Sequence, residues 1–257
     1  MMIDWLIGRL PSGMDFQTLV VCLLVLGIAG YARGFGGFGF SAITVAGAGM
    51  VMPLATVVPM AILLEIGASM QMAPTILRDV EWKRMTLLLA GGLIGNPVGI
   101  SVLQFASSTM IGVFVYGFIL LAALVLLVGK GRVLSIDYPG WFFVGLTAGV
   151  INGASALSGL FIVVMMSMSA TSPATMRATL IAYFFASDVY AAVIMASRGM
   201  ISGEVVVLAL VALPVVGIAI LFGSRQFIGT SEASFRRAVL LLLSFLGLAG
   251  LIRLAVQ

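Results

Sequence analysis

The chain has 257 residues, 62% of them hydrophobic and 9% charged, with a formal net charge of +4. So few charges cannot cover a water-soluble globule of this size, whereas the uncharged runs at 85–103, 109–129 and 205–222 are long enough to cross about 30 Å of hydrocarbon as helix. Histidine is absent and the one cysteine, Cys22, has no partner in the chain, which removes histidine catalysis, most zinc sites and an intrachain disulfide.

The opening "MMIDWLIGRLPSGMDF" sets Asp4 and Asp15 around a short apolar patch that Pro11 interrupts. It reads as an interfacial segment anchored by Trp5 rather than a cleaved leader. An apolar helix over 18–31 then meets "GFGGFGF", with Arg33 just ahead of it, and helix resumes over 41–51. A helix over 53–73 carries Glu65, with Ser69 one turn on along the same face. The charged loop "RDVEWKR" leads to 85–103, where "GGLIGNPVG" spaces Gly91, Gly95 and Gly99 for close helix packing and Pro97 for a kink. The span at 109–129 completes the first half.

The second half repeats this plan from Trp141, through a break at "NGASALSG", to Met168. Helices over 175–196, 205–222 and 238–252 follow, with Ser172 as N-cap and Pro173 at the first helical position of the first of them. At an offset of roughly 120 residues Gly27 pairs with Gly145, Pro53 with Pro173 and Arg78 with Arg198. The expected fold is an all-α polytopic membrane protein with about eight transmembrane helices. It forms one transmembrane domain over 1–257, built from homologous repeats at 18–129 and 141–256, with the first helix of each broken, either as a kinked crossing or as a re-entrant hairpin. If each broken helix crosses once, the halves are parallel and Lys/Arg divide eight to four between the two sides. If each break is a hairpin tip, the halves are inverted and the division, leaving Arg33 aside, is nine to three, which suits the positive-inside rule better.

Glycines at 34, 36, 37 and 39 cost about 1 kcal/mol each against alanine in a helix and free backbone groups that lipid cannot satisfy. The break makes a new helix N-terminus near Phe38–Ser41, whose N–H groups attract anions, and Arg33 adds a full charge. Asn152, Ser155 and Ser158 supply neutral donors at the second break. The expected anion site is therefore Arg33, Gly36, Gly37, Phe38, Gly39, Asn152, Ser155, Ser158, Arg177 and Tyr183, with Phe184 beside them. The bland alternative is close packing by the glycines and an arginine that snorkels to the interface. Glu65 and Asp188 are the intramembrane carboxylates; each either neutralises an arginine or carries a proton. Arg177 and Asp188 share a face but stand about 16 Å apart along the axis, so they line one route without pairing.

"GFGGFGF", "RDVEWKR" and above all "SPATMRATLIAYFFASDVYAA" resemble the TauE/SafE sulfite exporter family over about 18–254. "MRATLIAYF" puts Arg177 and Thr179 on the family's second-half motif, and the first glycine cluster falls on Gly34, Gly36, Gly37 and Gly39. The chain departs from the family where prolines come late, at Pro53 and Pro59, and where "NGASALSG" replaces a second glycine cluster. The resemblance implies transport of sulfite or organosulfonates in the cytoplasmic membrane.

No GxxxxGK[ST] phosphate loop occurs, so energy comes from a gradient. An inside-negative potential favours anion expulsion by about 2.3 kcal/mol per charge at 100 mV. The expected protein is a secondary transporter and no enzyme, with no cofactor, no metal and no nucleic acid. Its partners are a small anion, the bilayer and a possible coupling ion. The alternatives are a passive anion channel and an intramembrane enzyme using the carboxylate pair. Direction and oligomeric state stay open.

Overall fold

A computed structural model describes residues 14–75, 77–128, 135–169, 171–226 and 232–256. Among the described residues there are ten α-helices and no strand. They are α1 Phe16–Gly36, α2 Phe40–Ala48, α3 Leu54–Met72, α4 Trp82–Phe105, α5 Ser108–Val128, α6 Tyr138–Ser155, α7 Ser158–Met168, α8 Pro173–Ser197, α9 Gly203–Gln226 and α10 Glu232–Val256. Seven of them, α1, α3, α4, α5, α8, α9 and α10, are long and apolar enough to cross a membrane. The remaining helices are the short α2 and the pair α6 and α7, and the all-helical polytopic class holds. The expected interfacial segment around Trp5, with Asp4, Arg9 and Pro11, lies outside the described residues, as do Lys130 and Arg132.

Short polar residues start the helices. Asp15 caps α1 by accepting from the Thr18 N–H at 2.8 Å, a bond that holds its carboxyl below the ordinary aspartate value. Asp137 caps α6, and Ser172 caps α8 with Pro173 opening the helix as expected. Small residues then let helices approach. A Cβ on Gly91, Gly95 or Gly99 of α4 would fall 2.1, 2.2 and 2.0 Å from backbone carbonyls of α6, and Gly145, Gly149 and Gly153 of α6 answer on the other side. Gly30 and Gly34 of α1 make the same close approach to α9 at Val216 and Ile220. Helix α1 thus packs on α9, and α6 on α4.

The first break is the tip of a hairpin. The Cys22 thiol reaches Met52 Sδ at 3.5 Å, and Gly47 sits against Val25, so α2 doubles back along α1. The turn after α2 lies at one end of the bundle, where Arg253 donates to the Met50 carbonyl. The turn between α7 and α8 lies at the other end, where Arg84 donates to Thr171 at 2.6 Å. Helix α4 runs from one end to the other, its start carrying Arg84 and its last turn bordering the same cavity as Arg253. The turn after α2 and the turn after α7 therefore face opposite ends. Following the helices, Arg78, Lys83, Arg84, Arg177, Arg225 and Arg237 fall towards one end, and Arg198 and Arg253 towards the other.

Candidate functional site

Two residues end their helices in the left-handed conformation. Gly37 (φ 73) closes α1, its N–H bonded to the Arg33 carbonyl at 2.8 Å; Ala156 (φ 58) closes α6, its N–H bonded to the Asn152 carbonyl at 2.7 Å. Gly39 (φ 89) then caps α2. A left-handed geometry suits glycine at Gly37 and Gly39, whereas Gly34 is small because α9 presses on it. Arg33 and Asn152 stand at matching places, four residues before their caps. Each bonds a residue 36 further on: Arg33 Nη2 donates to Ser69 at 3.0 Å, Asn152 Nδ2 to Asp188 at 2.8 Å.

Arg33 is fully buried. Its Nη1 donates to the Gly37 carbonyl at 2.7 Å, its Nη2 lies 2.8 Å from Glu65 Oε1, and its guanidinium covers the Phe184 ring at 4.7 Å. The other Glu65 oxygen accepts from Ser41 at 2.6 Å. A neutral cluster adjoins this charged one. Asn152 Nδ2 also reaches Asn96 Oδ1 at 3.2 Å, Ser158 donates to Asn152 Oδ1 at 2.8 Å, and Asn96 donates to Ser187 at 3.0 Å.

Arg33, Ser41, Glu65, Asn152, Phe184 and Asp188 line one cavity of about 10 Å³, room for about one water. Residues from both breaks complete its wall, including Gly39 and Phe40 at the start of α2 and Leu157 and Gly159 at the start of α7. Two helix N-termini therefore meet at the same small polar space. A larger cavity of about 590 Å³ opens at the end of the bundle that carries Arg253, with Gln104, Ser108 and Tyr116 on its wall. Among the described residues, no three of Cys, Asp or Glu gather as a metal site requires.

The remaining expected residues surround the cavity without lining it. Gly36 is half-buried in the last turn of α1. Phe38 is buried in a cluster with Trp141, Leu180 and Phe184. The Ser155 hydroxyl donates to the Ile151 carbonyl of its own helix at 2.7 Å. Arg177 donates to the Gly34 carbonyl at 2.9 Å, and its stem lies against Gly37, so it braces the break. Tyr183 is buried with its hydroxyl against Gly92 of α4, while its neighbour Phe184 faces the cavity. Glu65 and Asp188 border the same space, but each carboxylate bonds to different partners.

Ser41, Asn96 and Ser187 are in the network and escaped the sequence. Asn96 was legible as the one amide inside the "GGLIGNPVG" stripe, whereas a lone serine in an apolar helix carries no such signal.

A bundle of membrane-spanning helices whose broken segments converge on a buried polar space defines a multi-pass membrane protein. The chain belongs to the sulfite exporter TauE/SafE family, which it matches over residues 22–250. It is 28% identical over 220 residues to the probable sulfite/organosulfonate exporter TauE of Cupriavidus necator, a match covering 83% of this chain and 86% of that relative. No solved structure matches it. The family and the apolar helices assign it to the cell membrane.

Proposed function

We propose that this chain is a secondary transporter that carries sulfite or small organosulfonates across the cell membrane, the charged head held between the two helix breaks. The observation that carries the reading is the meeting of two helix N-termini at one cavity beside Arg33. Free N–H groups at the starts of α2 and α7, the Arg33 guanidinium, the Asn152 amide and the Ser158 hydroxyl are the donors an oxyanion needs. Phe184 borders the organic part of a sulfonate. Phe38, Gly36, Ser155 and Tyr183 shape the wall behind, and Arg177 holds the first break in place.

A site closed to about one water needs the surrounding helices to move before an anion enters, which is how a carrier works; a passive channel needs a standing pore. The motion fits two inverted repeats, 18–129 and 141–256, rocking about their breaks. The matched caps at Gly37 and Ala156, and turns at opposite ends of the bundle, support that division. The relative named an exporter favours outward transport.

Counterflow in proteoliposomes tests the reading. Vesicles loaded with unlabelled anion receive a labelled trace outside, comparing sulfite, short sulfonates and carboxylates. Transient accumulation of a sulfur anion, lost in Asn152→Ala and Arg177→Ala, is the expected result. Folded protein that gives counterflow with none of these anions would refute it, and saturation-free conductance would identify a channel.

A further inference from the structure

The cavity holds one cation and two carboxylates, and they are not treated alike. Arg33 spends its charge on Glu65, whose other oxygen takes a hydrogen bond from Ser41. Asp188 is 2% exposed, and among the described residues its hydrogen bond comes from the neutral Asn152 amide, with no cation at ion-pair distance. The charged groups facing it are Arg33 from α1 and Glu65 from α3. The polar groups of α4, α6 and α7 nearby are neutral: Asn96, Asn152 and Ser158. Ser187 on its own helix is tied to Asn96, and Tyr183 turns its hydroxyl to Gly92.

A buried carboxylate without a cationic partner loses its hydration for too little return, and taking up a proton removes the difficulty. We propose that Asp188 holds a proton that travels with the anion, and that Glu65 does not. This rests on the transporter reading above. With Asp188 ionised the cavity carries a net charge of −1, and a monovalent sulfonate would make it −2. With the proton on Asp188, Arg33 and Glu65 balance and only the substrate's charge remains. Anion and proton therefore strengthen each other's binding, and by linkage each does so equally. The pair crosses without net charge. The proton leaves the Asp188 carboxyl as the anion leaves, on the same side, so direction follows the two concentration gradients rather than the voltage.

Infrared spectroscopy of the protein in lipid, grown with aspartate carrying ¹³C in its carboxyl, tests the first part without any substrate. A protonated-carboxyl stretch at neutral pH that shifts with the label and disappears in Asp188→Asn is expected. Its absence overturns the proposal. Proteoliposomes with a trapped pH dye and clamped voltage test the second part, using methanesulfonate as probe. Wild-type flux should carry protons, ignore voltage, and fall on the alkaline side by up to about tenfold per pH unit. Asp188→Asn should exchange the anion with no proton movement and less than about twofold change over the same range. Anion flux that is voltage-driven, sodium-dependent or free of proton movement overturns the coupling and leaves the transporter reading standing. Absence of any anion flux fells both.

Discussion

Arg33 and Glu65 meet at 2.8 Å inside the helical bundle, with side-chain exposures of 0% and 4%. One comes from the last turn of a broken helix and the other from the middle of an unbroken span, so the contact ties the first break to α3.

Removing one partner should therefore cost more than removing both. Glu65→Ala strands a buried guanidinium and is expected to destabilise by about 3–5 kcal/mol, while Arg33→Met with Glu65→Leu comes much closer to wild type. Unfolding in mixed detergent measures both. A double variant as unstable as the single one would mean that packing, not charge, dominates here.

The two caps invite opposite substitutions. Gly37→Ala puts a side chain in a left-handed position and a Cβ at 2.4 Å from Arg177 Cγ, so stability should fall by about 1–2 kcal/mol from the backbone alone. Ala156→Gly relieves the same conformation and should be neutral or raise stability by up to about 1 kcal/mol. Thermal melting in detergent ranks them; equal losses at both positions would contradict the cap assignment.

Two glycines of α1 differ in the same way. At Gly34 an added methyl meets the Ile220 carbonyl at 2.2 Å, and overpacking of about 1–3 kcal/mol is expected. At Gly27 the nearest atom, Val215 Cγ1, is 3.7 Å away, so Gly27→Ala should be tolerated. If both alanines express and melt like wild type, α1 and α9 are not in close backbone contact.

The distribution of basic residues orients the protein. Positive-inside bias puts the end with Arg78, Lys83 and Arg84 in the cytoplasm and Arg198 and Arg253 outside. In a Cys22→Ala background, Arg253→Cys should react with an impermeant maleimide added to intact cells, and Arg78→Cys only after permeabilisation. The reverse pattern would invert the assignment.

Much of this was legible in the sequence because it is local. Helices show in uncharged runs, the start of α8 in Ser172, and both breaks in short stretches that a lipid-buried helix does not tolerate. Arg33 and Asn152 could be placed at the breaks for the same reason. The stripe Gly91, Gly95, Gly99 announced a close helix contact, though not that α6 would fill it.

What the sequence determined by itself is the class of protein, the number of apolar segments within one, and the positions where helix must yield. Tertiary structure decided the partners. Successive residues of a helix turn about 100° from one another. Tyr183 and Phe184 are thus equal candidates in the sequence, yet one faces α4 and the other the cavity. Arg177 is a candidate substrate ligand in the sequence, and the fold lays it against the backbone at Gly34 and Gly37. Glu65 and Asp188 differ only in which neighbour the packing brings: a guanidinium for one, a neutral amide for the other. That choice is made by residues from three or more helices at once, and no spacing along a single helix contains it.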